Sequence, residues 1–500
     1  MHLQQQFEKR GITCLQTVKR EPQTQEQTQE LRISDGMPDI GGIIGAWGQV
    51  ILRSKEWQAD GMTINGGTMV WVQYMPEDGG APQCVESWLP FQMRWNFPQT
   101  QHDGVILTQC FLRSVDARSL SARKMMIRTN LTVLPWAMES QSFEVAAAND
   151  LPEDVQLKTM RYPMELPTEA GEKAFTLEET VMLPPSMPRI EKLLCYQMQP
   201  QITEEKLMND KVIFRGNAVL HVLYLADDGG EYSWDFELPF TQYGELDAQY
   251  DENDNVLILP CVTALEVDHE ADQLAVKAGI VSQYRISQLQ MIDVVEDAYS
   301  PLRKITPHFQ ELLLPGVLEH KTQVLHPQTT APVDGMRMTD VQFMPQPVQT
   351  RMVGDEVNLE IPGQFQMLYY DMEGALHTSG HRWEQTMTIP ADAGSKVDAI
   401  VLPNGKAQGS FMGGSGQMTA DLQMILETTN ETPIPMVTDL EMGELEEPDP
   451  YRPSLILRRP QGDPLWEIAK KSGSTVSAIQ AANNLQQEPD QQQMLLIPVL

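Results

Sequence analysis

The sequence predicts a mainly β protein, in which tandem antiparallel, sandwich-like repeats precede a small C-terminal βααβ domain. Three observations predict this fold class. Motifs recur at a near-constant offset, each copy holds strand-like segments that end in Asp/Gly turns, and residues 452–500 combine two helical patterns with flanking strand-like segments. Because regularly spaced turns are typical of antiparallel sandwiches, we expect the body to consist of packed sheets.

The recurring motifs divide the body into three copies. The Met-Pro-Asp-Ile segment at 37–40 returns as Met-Pro-Arg-Ile at 187–190, an offset of 187 − 37 = 150, and Asp-Gly-Gly at 78–80 returns at 228–230. A weaker third copy keeps the order of glycine, strand, tyrosine and turn over 363–374. Internal repetition of this kind indicates a duplicated domain. The predicted repeats cover residues 1–140, 141–290 and, in divergent form, 291–431.

Each copy contains segments with the character of β-strands. Residues 68–75, 218–225 and 364–370 are rich in β-branched and aromatic side chains and partly alternate in polarity. Each segment ends in Asp or Glu with Gly, the composition of a hairpin turn that needs positive φ. Over 291–299 the pattern instead predicts a helical turn, halted by Pro301.

The segment after the repeats predicts a linker. Residues 432–451 are acidic and punctuated by proline, which is typical of an extended connection to the last domain. The alternative interpretation is an acidic peptide that binds a partner.

Residues 452–500 predict the order strand, helix, helix, strand. Asp463 can cap the first helix, and Pro464 suits its first turn because a missing N–H costs nothing there. An apolar stripe, a glycine stop and a second cap complete the pattern: Leu465, Ile468, Ala469, Gly473 and Thr475. Trp466 lies one step round from the stripe, so it is expected to be partly exposed, where it either contacts a partner or caps the small core.

Two domain families share these features. The Gly-Asp-x-Leu-Trp-x-Ile-Ala run at 462–469, the Ala-Asn pair at 482–483 and the Leu-Ile-Pro ending at 496–498 resemble a LysM domain, which usually binds N-acetylglucosamine polymers. The Pro-x-Ile lead, the hairpin and the Leu-Pro-Phe segment of the repeats resemble the SPOCS domain of spore-coat proteins. Tandem SPOCS domains followed by a LysM domain are similar to the SipL type of coat morphogenetic protein.

This resemblance implies a non-enzymatic scaffold for spore-coat assembly. In that family the LysM domain binds the sporulation ATPase that forms the coat basement, so the implied partners are this ATPase and other coat proteins. The implied location is the mother-cell cytoplasm, at the forespore surface. The predicted partner-binding residues lie on the LysM surface: Gly462, Asp463, Pro464, Trp466, Asn483, Asn484 and Leu485.

The module departs from the LysM pattern in ways that bear on its ligand. Pro464 stands where threonine is usual and removes a hydroxyl and an N–H from the loop that commonly faces the sugar. Arg458 and Arg459 stand in a strand that is usually apolar, and Gln492 replaces a usual glycine. Losing one hydrogen-bond donor costs a glycan site about 1–3 kcal/mol. These changes favour a protein-binding surface, while a protein that binds peptidoglycan or N-acetylglucosamine remains the alternative.

The composition indicates which classes of partner and which cellular compartment to expect. The net charge of −33 repels phosphate backbones, so nucleic acid is not an expected partner. Residues 452–500 hold five basic and four acidic side chains (5 − 4 = +1), which leaves −34 on the rest. We expect no signal peptide, because residues 1–31 hold no apolar core of signal-peptide length. We also expect no transmembrane segment, because no run of about 18 apolar residues occurs. Five widely spaced cysteines fit a reducing compartment.

The sequence predicts no catalytic residues, no cofactor and no metal site. Residues 61–66 have the first spacing of a P-loop, but Gly67 and Thr68 follow where lysine and serine or threonine are required. Neither Gly-x-Ser-x-Gly nor His-Glu-x-x-His occurs. A hydrolase within the repeats is a third interpretation, which depends on a cleft that sequence does not reveal.

Overall fold

A computed structural model describes residues 3–98, 104–147, 151–314, 316–392, 394–430, 433–446, 451–489 and 493–500. Nearly all regular structure in these ranges is antiparallel β, and two short helices lie near the C-terminus. The predicted fold class is therefore confirmed.

The first repeat is a two-sheet sandwich. Its strands are β1 (Leu3–Gln6), β2 (Glu8–Lys19), β3 (Gln23–Arg32), β4 (Ile40–Gln58), β5 (Gly61–Pro76), β6 (Gln83–Asn96), β7 (Val105–Ser121) and β8 (Lys124–Ala147). One sheet has the order β4-β5-β6, while in the other β8 pairs with β7, β2 and β3. Apolar side chains that alternate along both sheets, such as Met62 and Val133, meet in the core between them.

The second repeat has the same pairing with fewer, longer strands. They are β9 (Gln156–Met182), β10 (Ile190–Ala226), β11 (Glu231–Tyr250), β12 (Asn255–Glu270) and β13 (Gln273–Tyr299). β9 pairs with β13 and corresponds to β2 and β3 together, which both pair with β8 in the first repeat. β12 pairs with β13 in the same way as β7 pairs with β8. β10 covers the length of β4 and β5 together, with Asn209 at a positive φ of 54°.

The third repeat breaks the same sheets into shorter pieces. They are β14 (Arg303–Leu312), β15 (Val317–Leu325), β16 (Gln328–Ala331), β17 (Arg337–Pro345), β18 (Gln349–Val353), β19 (Glu356–Tyr370), β20 (Leu376–Pro390), β21 (Ser395–Pro403), β22 (Gln408–Met412), β23 (Ser415–Thr419), β24 (Leu422–Asn430) and β25 (Ile434–Leu445). β19 pairs with β17, β18 and β20, while β24 pairs with β15 and β21.

The recurring motif residues have the same role in the first two repeats. The Tyr74 hydroxyl donates to the Pro38 carbonyl at 3.0 Å, and the Tyr224 hydroxyl donates to the Pro188 carbonyl at 3.1 Å. A Cβ on Gly216 would lie 2.7 Å from the phenylalanine ring of the Leu-Pro-Phe segment, so only glycine fits there. The repeated residues therefore hold the lead-in segment and the hairpin together.

Two segments differ from their sequence-based predictions. Residues 291–299 continue β13 rather than forming a helical turn, because their apolar side chains alternate into a buried face at Ile292 and Val294. Residues 434–445, expected within an extended linker, form β25 between β1 and β14. β25 is the middle strand of that sheet, and Val437 and Leu440 on it are buried.

Each repeat extends beyond its sandwich as a two-stranded arm. The first arm consists of β2 with the end of β8, the second of residues 156–166 with 288–299, and the third of β14 with β25. The arms share one apolar core, to which Val145, Val294 and Val437 contribute one residue from each arm. β1 joins the first repeat directly to the third by pairing with β25.

The C-terminal module has the predicted βααβ order: β26 (Leu455–Arg458), α1 (Leu465–Ser472), α2 (Val476–Asn483) and β27 (Leu495–Pro498). Gly473 ends α1 in the left-handed region at φ 63°, and the Thr475 hydroxyl accepts from the Ala478 N–H, as expected. The predicted Asp463 cap is wrong, because Pro464 is the N-cap of α1 and makes no side-chain cap.

Candidate functional site

The loop that precedes α1 is open to solvent on one side and tied to the module on the other. Gly462 has a φ of 92°, and both Gly462 and Pro464 are exposed. Asp463 accepts from Arg458 at 2.6 Å, which explains why it is not free to cap α1. The Leu465 N–H donates instead to the Glu488 carboxylate at 3.0 Å, so the loop lies beside the segment that follows α2. Gln492 lies outside the described residues.

The predicted site residues after α2 have different surroundings. The Asn483 amide donates to the Ile479 and Leu496 carbonyls at 2.8 and 2.6 Å and accepts from the Leu496 N–H at 2.8 Å. Its polar atoms therefore hold α2 to β27. Asn484 is exposed in the left-handed region at φ 52°, and Leu485 is half-buried against the core of the module.

Trp466 connects the module to the second arm. Its indole N–H donates to the Asp297 carboxylate at 2.7 Å, and its ring meets Tyr299 edge-on with 4.8 Å between ring centroids. One turn further along α1, the Lys470 ammonium binds both oxygens of Asp297 at 2.8 and 2.7 Å. We call Asp297, Tyr299, Trp466 and Lys470 the clasp.

Tyr299 completes the core of the module. It is 5% exposed and packs with Leu465 and Ile468, although it belongs to β13. Its hydroxyl donates to the Ser474 carbonyl at 3.0 Å. Burial, with a smaller contribution from Asp297, raises the pKa of Tyr299 to about 12, so the phenol stays neutral and keeps donating. The Trp466 ring is thus engaged within the chain, and its predicted contact with a partner stays a prediction.

The body contains a cavity where the three repeats meet. Its volume is about 310 Å³, and it is lined by corresponding segments of β4, β10 and β17 and of β7, β12 and β21. Cys110 and Cys261 lie in its wall, and burial raises the pKa of both thiols, the latter to about 11. These thiols therefore stay protonated, unlike reactive cysteines. No group of three or more His, Cys, Asp or Glu within the described ranges could hold a metal ion.

Comparison with known families agrees with this division into body and module. A family model described as SipL, SPOCS domain matches residues 189–269, which begin just before β10 and end within β12. A family model described as LysM domain matches residues 461–490, which contain α1 and α2. The chain contains a SPOCS domain and a LysM domain.

This combination matches a SipL-like protein, and the predicted resemblance is confirmed. The SPOCS match falls on the second repeat, whose arm clasps the LysM domain. Neither the curated proteins nor the solved structures give a significant match. In the part of the chain that the structure describes, no helix has the length and apolar character needed to cross a bilayer.

Proposed function

We propose that the protein is a non-enzymatic scaffold of spore-coat assembly, whose LysM domain docks on the coat-basement sporulation ATPase at the forespore surface. The observation that carries the proposal is the combination of a body that matches a SPOCS domain over residues 189–269 with a LysM domain that the body holds through Asp297 and Tyr299. SPOCS and LysM are non-catalytic domain families. The scaffold would work from the mother-cell cytoplasm and would also contact other coat proteins.

The charge distribution supports a protein partner for the LysM domain. Residues 452–500 carry +1 and the rest of the chain −34, so the domain is where an acidic protein surface meets least repulsion. A body this acidic also disfavours nucleic acid as a partner.

A pull-down from sporulating cells tests the proposal. The full-length protein is compared with a chain that ends at Pro450, which keeps β25 and therefore the shared core of the arms. We expect the ATPase to co-purify with the full-length protein only, and a fluorescent fusion of the shortened chain to lose its place around the forespore. Equal recovery of the ATPase with both chains would contradict the proposal.

Glycan binding is the second candidate function, because the LysM match and the exposed loop at Gly462 and Pro464 both favour it. Calorimetry of the full-length protein with a chitin oligomer distinguishes the two. We expect no binding, since Pro464 offers the sugar neither a hydroxyl nor an N–H. Micromolar binding would favour the glycan function instead.

A further inference from the structure

The two-stranded sheet of the LysM domain is apolar on both of its faces. Cross-strand partners share a face of the sheet. One face holds the pairs Ile456–Ile497 and Arg458–Leu495, and the other holds Leu455–Pro498 and Leu457–Leu496. Ile456, Leu495 and Ile497 pack into the domain core. The other two pairs therefore form an outer face of three leucines and a proline, which we call the sheet face.

The sheet face is open to solvent in the whole chain. Leu455 is 48% exposed and Leu457 is 65% exposed, while Leu496 and Pro498 beside them are partly exposed. Met494, which precedes β27, adds a further side chain that is 53% exposed. Single exposed leucines need no explanation, but a contiguous apolar group on one face of a small domain marks an interaction surface.

The clasp leaves this face available by occupying the α1 side of the domain. Trp466 and Lys470 are both held by Asp297, so the side chains that would make α1 a docking helix are already engaged. The Asn483 amide is likewise used inside the domain. Among the described residues of the anchored domain, the sheet face is an apolar surface that stays exposed.

The surroundings of the sheet face define the chemistry of its partner. Arg459 follows β26 directly and is exposed, and exposed Arg452 reaches the carbonyl of Leu500 at 3.3 Å, beyond the end of β27. The apolar centre thus has cationic side chains near both ends of the sheet. A complementary surface is apolar at its centre and acidic at its rim.

We infer that the sheet face is the surface by which the LysM domain docks on its protein partner, and that the partner presents an apolar patch with an acidic rim. This inference rests on the proposed function and identifies the surface involved. It assigns binding to Leu455, Leu457 and Arg459, none of which belongs to the residues predicted from the sequence.

The test measures binding of the purified coat-basement ATPase polymer to full-length variants by co-sedimentation. Leu457→Glu places a charge in the centre of the sheet face, and we expect it to weaken binding at least tenfold. Leu318→Glu is the matched control, because Leu318 of β15 is 50% exposed on the body. Melting curves confirm that both variants fold, which their exposure favours. If Leu457→Glu is unstable, Arg459→Glu replaces it and should both weaken binding and reduce its dependence on salt.

The outcomes separate the inference from the proposed function. If the wild-type protein fails to bind the ATPase polymer, the proposed function is wrong and the inference loses its partner. If the wild type binds and both Leu457→Glu and Arg459→Glu bind equally well, the proposed function stands and the inference is overturned. If the wild type self-associates in sedimentation and Leu457→Glu does not, the sheet face contacts a second copy of the chain. That outcome would also overturn the inference.

Discussion

Glu427 is a buried carboxylate that links separate parts of the body. It lies on β24, is 5% exposed and accepts from the Arg285 guanidinium of β13, with the His320 ring 3.7 Å away. Burial alone would raise the pKa of Glu427, but Arg285, His320 and Arg20 lower it to about 2. The second repeat supplies Arg285, so this contact joins it to the third repeat.

Replacing Glu427 by glutamine should destabilise the protein by about 3 kcal/mol at neutral pH, because Arg285 is left buried without its countercharge. A folded-state pKa below the ordinary 4.5 stabilises the folded state above that pH, and this stabilisation disappears as the pH falls toward 2. Urea unfolding of wild type and variant from about pH 7 to about pH 2 should therefore show a difference in unfolding free energy that decreases as the pH falls. Glu319→Gln, at an exposed position, is the control; a constant difference would contradict the assignment.

His221 is held between two carboxylates where the second and third repeats meet. Its Nδ1 lies 2.7 Å from Asp235, its Nε2 lies 3.3 Å from Asp340, and Lys406 pairs with Asp235. Burial would lower the pKa of His221, yet Asp340 and Asp235 raise it to about 10. The imidazolium thus stays charged through neutral pH and joins two repeats.

His221→Gln should cost about 2 kcal/mol of stability at pH values below 6.5, because the buried Asp340 and the partly buried Asp235 lose their charged partner. A raised folded-state pKa gives its full stabilisation below the ordinary 6.5, and this is lost as the pH rises to about 10. Chemical denaturation of wild type and variant across this interval should show a difference that falls toward zero. A difference that stays constant across this interval would mean that the folded-state pKa of His221 is not raised.

At the scale of the elements, local patterns predicted the LysM helices and most of the strands, but they missed two strand segments. β25 has buried side chains at Ile434, Met436, Leu440 and Met442, yet Pro435 and the acids between these positions gave it the composition of a linker. Residues 291–299 hold apolar side chains at helical spacing as well as at strand spacing, and pairing with β9 decides between them. The binding role of the loop at 462–464 stays a prediction, whereas the clasp joins residues 169 positions apart and leaves no local signal in the sequence.

Removing the acceptor of the clasp should release the LysM domain from the second arm. Asp297→Ala deprives Trp466 and Lys470 of their shared carboxylate, a loss of about 1–3 kcal/mol in docking. We expect a larger radius of gyration by small-angle X-ray scattering and faster amide exchange in α1. Asp293→Ala is the matched control, since Asp293 lies on the same strand but pairs with Arg161. Scattering and exchange equal to wild type would show that the Asp297 carboxylate does not hold the domain to the arm.

At the scale of the whole molecule, the repeats share their cores. Trp47 and Trp71 of the first repeat pack with Leu220 of the second and Leu368 of the third in one cluster. A second cluster combines Leu107, Leu257 and Ile400, and Gln109 donates across repeats to the Val401 carbonyl at 3.1 Å. Sequence repetition indicated three similar domains but not this sharing, because the repeats touch through positions that each domain alone would expose.

The repeats should therefore unfold together. We expect a single calorimetric transition for a chain that ends at Pro450, with equal van't Hoff and calorimetric enthalpies. The second repeat alone, residues 156–299 as the structure bounds it, should not fold stably, because it would expose the side chains that Trp47 and Leu368 cover. Three separable transitions, or a folded isolated repeat, would contradict this expectation.

The clasp makes the two ends of the molecule different. Three arms meet in one bundle, but the described contacts fix the LysM domain to the second arm alone, through Asp297 and Tyr299. A near-repetitive body thereby acquires a single, fixed pole. If many copies of the molecule bind a common surface through the LysM domain, each copy points the same end of its body away from that surface. A layer built in this way has two unlike sides, and its outer side is set by the orientation of every copy beneath it.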